Sequence, residues 1–180
     1  VDLVYNPTEN QYFAVYQTYT DGSSYDYCVY RQILSEKGRA VGKPTLVADL
    51  AGSSVSPEVT YLVSLNSYLV VWTDNTANEI PMGQLVGAGG ALQGQETVLS
   101  DEWVTSVESI AYDTQTSDLL FAWKSNTWPD GMNCLFNDTA STEIDTGTPF
   151  VISDFGGYGD PPSAAYNEAV GTFLVAWPGN

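Results

Sequence analysis

Short apolar runs alternate with polar turns along the whole of this chain. Between Pro57 and Asp74, two runs rich in β-branched and aromatic residues flank a polar stretch that contains Asn66. Such runs are typical of β-strands, and the Asn, Asp, Gly and Pro residues between them are typical of turns. No stretch of the sequence shows sustained helical periodicity with caps. The pattern predicts an all-β chain built from hairpins, with Val59, Tyr61, Leu69 and Val71 on one face of the hairpin shown.

The hairpins form a repeat. Four times a Tyr is followed, eleven positions later, by Trp or Tyr, and an apolar run leads into the second aromatic residue. The pairs are Tyr5 and Tyr16, Tyr61 and Trp72, Tyr112 and Trp123, and Tyr166 and Trp177. They recur about every 50 residues, which is typical of propeller repeats. We expect the repeated tryptophans, Trp72, Trp123 and Trp177, to lie in the core.

The second half of each unit has a weaker signature. Gln32, Gly38 and Gly42 recur at the same spacing as Gln84, Gly90 and Gly94. In the third unit, Asp138 takes the position where we expect the Gln, and Gly147 lies near the expected turn. An extended run before each Gln and a short apolar run after the glycines give about four strands in each unit of about 50 residues, as in a propeller blade.

We therefore predict propeller-like repeats of four-stranded antiparallel blades, about three and a half of them. Because a sheet with an apolar face needs a neighbour to cover it, stacked sheets create the core. A single repeat domain, residues 1–180, has units at about 1–51, 56–100 and 104–153 and a half unit at 160–180. Propellers close from about 4 to 8 blades, so we expect either a fragment of a longer propeller or blades completed by copies of the same chain.

These segments resemble a repeat of about 50 residues in propeller-type surface proteins of bacteria and other organisms. The repeat runs roughly Pro-x-Val-Ala-Tyr-Asn, then Tyr-Leu-Val-Val-Trp-x-Asp, then Asp-Ile-Tyr-Gly-Gln-x-Val, and closes on Ile-Ser. The matching segments here are 57–74, 26–32, 82–86 and 151–153. Tyr16 in place of Trp and Glu108 in place of Pro depart from the pattern. The resemblance implies a secreted or surface-displayed protein and names no chemistry.

The charge supports an extracellular or cell-surface location. The chain has 5 Lys and Arg against 22 Asp and Glu, a net charge of −17. Nucleic acids and anionic membranes bind clustered Lys and Arg, so we expect neither nucleic-acid binding nor membrane insertion. The chain has no run of about 18 apolar residues that would span a bilayer.

Candidate chemistry is limited because the chain has no His. His-based triads and imidazole metal ligands are therefore excluded. Carboxylates remain, in the loops that follow the repeated aromatic: Asp21, Asp26, Asp74, Glu79 and Asp130. Their repetition argues against a catalytic pair, which would be unique in the chain.

The same loops suggest calcium. They bring carboxylate, amide and hydroxyl oxygens together, as Ca²⁺ requires, and a Gly-rich loop adds Asp154 and Asp160. The alternative is that these are ordinary turn residues. No cofactor is required by the sequence, and Ca²⁺ is the one cofactor that it suggests.

Several residues outside the repeat are candidates for binding or modification. Trp103, Trp128, Tyr25 and Tyr158, with Tyr19, fall in loops, where aromatic rings stack on sugars or protein partners. The alternative is that they cover a blade edge. Asn137 begins an Asn-x-Thr acceptor for glycosylation. Cys28 and Cys134 occupy the same strand of two non-adjacent units, so we expect two small buried side chains, with a disulfide as the alternative.

Two functions remain open. The first is a non-catalytic extracellular repeat module for assembly or adhesion, whose partners are copies of itself, the rest of a longer propeller, proteins or glycans. The alternative is part of a carbohydrate-active enzyme of the glycosidase type, with paired carboxylates in a propeller mouth. We favour the first.

Overall fold

A computed structural model describes residues 1–19, 26–48, 53–75, 79–100, 104–125, 132–138, 149–153 and 162–177. These residues form antiparallel sheets without an α-helix, apart from one short 3₁₀ turn at Val63–Leu65. The predicted all-β, propeller-like architecture is confirmed. Within the described ranges, no helix is long and apolar enough to cross a membrane.

Three sheets of four strands and one of two strands follow in chain order. The first sheet comprises β1 (Asp2–Asn6), β2 (Gln11–Tyr19), β3 (Tyr27–Ser35) and β4 (Ala40–Ala48). The second comprises β5 (Ser54–Leu62), β6 (Ser67–Asp74), β7 (Ile80–Gly87) and β8 (Leu92–Val98). The third comprises β9 (Val104–Tyr112), β10 (Asp118–Ser125), β11 (Met132–Asp138) and β12 (Phe150–Ser153). The terminal hairpin comprises β13 (Ser163–Asn167) and β14 (Thr172–Ala176).

Each sheet is a simple meander in which neighbouring strands are consecutive in sequence. The first strands of successive sheets lie against one another: β1 contacts β5, β5 contacts β9, and β9 contacts β13. The last strands, β4 and β8, are mostly exposed. The sheets are thus arranged with their first strands on the inside and their last strands on the outside, as in propeller blades.

The hairpin register corrects one prediction about faces. Val59 pairs with Val70, and Tyr61 pairs with Tyr68. Directly opposite residues share a face, so Val59 and Tyr61 lie with Val70 and Trp72 against the first sheet. Leu69 and Val71 lie on the opposite face, against the third sheet. The prediction that all four share one face was wrong, because the connection between β5 and β6 pairs odd positions with even ones.

The repeated Gln residues connect the third strand to the outer, fourth strand in each of the first two sheets. The amide nitrogen Nε2 of Gln84 donates to the carbonyls of Leu85 at 2.9 Å and Gln93 at 2.7 Å. Gln32 makes the equivalent bonds to Ile33 and Val41. Each Gln sits where the register with the outer strand shifts. The Gln side chain therefore satisfies a carbonyl of the outer strand next to this irregularity.

In the third sheet, the prediction that Asp138 replaces this Gln was wrong. Gln32 and Gln84 pair with Ala14 and Val70, nine positions after the repeat Tyr. The equivalent residue of β10 pairs with Leu135. The strand β11 thus runs three residues out of step with the sequence alignment, and a hydrophobic residue takes the Gln position.

The three tryptophans of the repeat differ in how deeply they are buried. Trp72 and Trp123 are 0% exposed, each between two sheets, as predicted. Trp177 is 36% exposed, so its predicted place in the core was wrong. Trp72 and Trp123 each pair with a residue of the third strand of their sheet, Met82 and Asn133. Trp177 follows β14, and the described part of the terminal sheet has no third strand to flank it.

Candidate functional site

The first strands of all four sheets line a cavity of about 560 Å³, which we call the mouth. The four repeat tyrosines, Tyr5, Tyr61, Tyr112 and Tyr166, all belong to its lining. They meet there because each is near the end of the innermost strand of its sheet. The repeat that specifies the fold therefore also places an aromatic ring at the mouth four times.

The phenol groups at the mouth connect successive sheets. The hydroxyl of Tyr61 donates to Oδ1 of Asn66 in its own hairpin at 2.9 Å and lies 2.8 Å from the hydroxyl of Thr8 in the preceding hairpin. Tyr112 repeats this arrangement with Ser117 at 3.3 Å and Ser64 at 3.2 Å. Each phenol therefore ties its sheet to the turn of the sheet before it.

In the terminal hairpin, the phenol of Tyr166 bonds to a carboxylate instead. The hydrogen bond to Asp113, with smaller effects of burial and nearby carboxylates, raises the pKa of Tyr166 to about 12. Burial acts to raise the pKa of Asp113, but hydrogen bonds from Tyr166, Gln115 and Thr116 outweigh it and lower that pKa. Asp113 is therefore ionised at neutral pH, and its carboxylate organises the turn after β9.

The mouth has the chemistry of a binding surface. Besides the rings, its lining offers hydroxyl groups and the carboxylate of Glu168, which accepts a hydrogen bond from Thr114 at 2.9 Å. Among the described lining residues, Glu168 is the single carboxylate. Nearby Asp113 already accepts several hydrogen bonds. Rings and acceptors of this kind suit stacking and hydrogen bonding with a ligand.

A second candidate site is the outward side of the terminal hairpin. We call it the terminal face and define it by Ala165, Leu174 and Ala176. Leu174 is 68% exposed. The residues at the same position of the repeat, eight after the Tyr, are Phe13, Leu69 and Leu120, and they are 0%, 0% and 4% exposed. A position that is core in three sheets is thus open to solvent in the fourth.

A third surface is the outward side of the first sheet. We call it the tyrosine face and define it by Leu3, Tyr5, Tyr12, Ala14 and Tyr16. Leu3 and Tyr5 are 51% and 43% exposed, and the other three are half-buried. Cross-strand pairing puts Leu3 opposite Ala14 and Tyr5 opposite Tyr12. Among the described residues, no sheet covers this face.

Most of the aromatic and acidic residues predicted for binding lie outside the described residues. These are Trp103, Trp128, Tyr25, Tyr158, Asp21, Asp130, Asp154 and Asp160. Tyr19 is described and is 52% exposed. Its predicted place in a loop was wrong, because it is the last residue of β2 and pairs with Tyr27 of β3. Its ring lies 4.2 Å from that of Tyr27, centre to centre.

The described calcium candidates are Asp26, Asp74 and Glu79. All three lie at the same end of their sheets, in or next to the β2–β3 and β6–β7 connections. These connections meet at Ser53, which accepts hydrogen bonds from the backbone N–H groups of Tyr27 and Asn75. Within the described ranges, no three acidic or Cys side chains are grouped to hold a metal ion. The calcium site stays a prediction.

The candidates for modification lie in third strands. Asn137 is in β11 opposite Leu119, and its glycosylation stays a prediction. Cys28 is buried in β3 at 1% exposure. Cys134 is in β11 opposite Ala122, whereas Cys28 is opposite Thr18, so the two cysteines occupy the same strand of their sheets at positions that differ by three residues.

Neither open face was predicted from the sequence. The predicted binding residues were assigned to loops, whereas the terminal face and the tyrosine face consist of strand residues of the repeat itself. The signal that could have found the terminal face was the repeat position eight after each Tyr, because a hairpin without a following sheet leaves that position uncovered.

No protein-family model matches the chain, and no curated protein matches it. Among solved structures, the chain is similar to one in a crystal structure of a nidogen/laminin complex, with a TM-score of 0.57 and 14% identity. The match covers 98% of this chain and 55% of that one. A protein of unknown function from Bacteroides thetaiotaomicron VPI-5482 matches with a TM-score of 0.49 and 13% identity, over 98% of this chain and 38% of that one. The chain thus spans about half, or less, of these solved chains, and the first likeness supports the propeller-like fold.

Proposed function

We propose that this chain is a non-catalytic propeller module, extracellular or displayed at a cell surface, that binds other proteins and assembles with them. The observation that carries the proposal is the exposure of Leu174, 68% where its three repeat equivalents are almost fully buried. An apolar position that the fold covers elsewhere is a surface suited to a partner.

The energetics favour covering the terminal face. Burying a Leu side chain stabilises a structure by about 1.5 to 3 kcal/mol relative to leaving it exposed. Ala165 and Ala176 flank Leu174 on the same face and are exposed too, so a partner would bury one continuous apolar patch. Further sheets of a longer propeller, or another protein, would provide this cover.

The extracellular location rests on the charge of −17 and on the resemblance to surface-displayed repeats. A strongly acidic surface keeps the chain soluble and repels nucleic acid and anionic lipid. The tyrosine rings at the mouth would add contacts with proteins or glycans, since Tyr is enriched at binding surfaces.

The proposal is tested by combining affinity capture with a glycan array and a sugar-hydrolysis screen. The chain and its Leu174→Glu variant are immobilised and exposed to the secreted proteins of the source organism. Leu92→Glu is the matched control, because Leu92 is also an exposed Leu, at 48%, but lies on the outer strand β8. We expect protein partners that the Leu174→Glu variant loses and the Leu92→Glu variant keeps, without hydrolysis of any sugar.

Two results would overturn the proposal. Hydrolysis of a glycan that a single Asp→Asn change abolishes would identify an enzyme instead. Equal capture by the Leu174→Glu and Leu92→Glu variants would show that the terminal face binds no partner.

A further inference from the structure

We infer that the terminal face of one copy of this chain docks on the tyrosine face of a second copy, so that copies associate head to tail. This inference rests on the proposed function and names the partner of the terminal face. The two open faces carry residues that match two surfaces already packed together inside the chain, those of the third sheet and the terminal hairpin.

The terminal face repeats a covered face residue by residue. The third sheet presents Ala111, Leu120 and Ala122 to the terminal hairpin, and these residues are 5%, 4% and 0% exposed. At the same three positions of the repeat, the terminal face has Ala165, Leu174 and Ala176. Ala165 pairs with Leu174 as Ala111 pairs with Leu120. At these three positions, the terminal face therefore presents to a partner the same side chains that the covered face presents to the terminal hairpin.

The tyrosine face matches the surface that covers Ala111, Leu120 and Ala122. That surface is formed by Ala164, Tyr166, Phe173 and Val175 of the terminal hairpin. The corresponding residues of the first sheet are Leu3, Tyr5, Tyr12 and Ala14. In both sets, a Tyr pairs across the strands with a second aromatic residue.

The aromatic pair already has its docked geometry in the first sheet. The rings of Tyr5 and Tyr12 lie 5.1 Å apart and 49° from parallel. Those of Tyr166 and Phe173, which are docked, lie 4.9 Å apart at 50°, and those of Tyr61 and Tyr68, also docked, lie 5.6 Å apart at 50°. Since the rings need no rearrangement, little conformational entropy is lost on docking.

The aliphatic pair beside the rings is larger by one methylene group in the first sheet than in the terminal hairpin. Leu3 lies opposite Ala14, and Ala164 lies opposite Val175. The large and the small side chain have exchanged strands, so the first sheet offers a similar apolar volume to a partner. Exchanges that nearly conserve volume are the ones that packed cores tolerate best.

The two faces are different surfaces, so the contact is heterologous and leaves one open face at each end of a pair. Each copy contributes four sheets, three of four strands and one of two. Two copies would contribute eight, which is within the about 4 to 8 from which propellers close. Copies of charge −17 repel each other, and salt screens this repulsion, so association should strengthen as ionic strength rises.

Sedimentation velocity of the chain and two single-face variants tests the inference. Leu174→Glu blocks the terminal face, and Leu3→Glu blocks the tyrosine face. Both positions are more than half exposed, so both variants should fold, which circular dichroism checks. We expect the unchanged chain to associate, each variant alone to weaken association at least about tenfold because it buries a charge, and their equimolar mixture to form dimers through the two intact faces. Leu92→Glu should associate like the unchanged chain.

The inference fails if the unchanged chain stays monomeric at high concentration and high salt, or if the mixture of variants does not form dimers. A monomeric chain that still captures another protein through Leu174 would mean that a different partner covers the terminal face. In that case the proposed function stands and the head-to-tail contact does not.

Discussion

The second sheet and the terminal hairpin carry the same kind of residue at equivalent positions, and their surroundings differ. Leu69 in the second sheet packs against the third sheet and is 0% exposed, whereas Leu174 in the terminal hairpin is 68% exposed. Neither the residue type nor its place in the strand accounts for the difference. Burial in this repeat is set by whether a neighbouring sheet is present, so stability is divided among the interfaces between sheets.

The largest effect should come from the tryptophans of the repeat. Trp72→Ala should destabilise the chain by about 3 to 5 kcal/mol, because it empties a fully buried site between two sheets. Trp177→Ala should cost less, about 1 to 3 kcal/mol, because Trp177 is 36% exposed and loses less buried surface. Chemical denaturation of both variants measures the difference, and equal losses would mean that Trp177 is covered in solution.

The equivalent leucines give a closer test of the same comparison. Leu69→Ala should cost about 2 to 5 kcal/mol, and Leu174→Ala should stay within about 0.5 kcal/mol, as surface changes usually do. Denaturation at low chain concentration keeps association from contributing. A loss at Leu174 as large as that at Leu69 would contradict an open terminal face.

A smaller effect is expected at the outer half of the second sheet. Gln84→Leu should destabilise the chain by about 1 to 3 kcal/mol, because the carbonyls of Leu85 and Gln93 lose a buried donor. The matched control is Gln95→Leu on the exposed strand β8, which should have little effect. If both changes are equally mild, the Gln84 bonds do not hold the outer strand.

The weakest contribution to test is the attachment of the terminal hairpin through Tyr166. Its pKa of about 12 lies above the usual value of 10, so the folded chain holds this proton more tightly than the unfolded chain. The resulting stabilisation is fully present below pH of about 10 and is lost as the pH rises through about 12. Titration by tyrosinate absorbance should show this phenol at high pH. Burial also raises the pKa of Tyr16 and Tyr68, and the hydrogen bond with Tyr19 raises that of Tyr27, so Tyr166 is identified by the change that a variant makes.

Two variants identify the phenol. Tyr166→Phe should remove it from the titration. Asp113→Asn should move its pKa back toward 10, because the negative charge that accepts the phenol's hydrogen bond is gone. If neither variant changes the high-pKa part of the titration, the Tyr166–Asp113 hydrogen bond does not form in solution.

The sequence was sufficient to predict the architecture because the same hairpin pattern occurs four times in the chain. The eleven-residue spacing from Tyr61 to Trp72 and its copies predicted the strands of each hairpin and the buried Trp72 and Trp123. The spacing did not predict which residues share a face, because that depends on how the strands pair. The faces of Val59 and Leu69 follow from hairpin register, which a one-residue change in the connection would reverse.

The candidate sites were less predictable than the fold. Spacing alone put Asp138 in the Gln position, whereas the register of β11 puts Leu135 there. The exposure of Leu174 could not be read from its own strand, since Leu120 has the same neighbours in sequence pattern and is buried. Exposure here is a property of the arrangement of sheets, which local sequence does not encode.

The outward face of the third sheet and the terminal face carry the same residue types at three repeat positions. This match has a consequence for how such chains evolve. A duplication of the last unit would set the copy against Ala165, Leu174 and Ala176, the same three residue types that Ala111, Leu120 and Ala122 already present. A gene for this chain could thus be lengthened at this junction without redesign of those three positions.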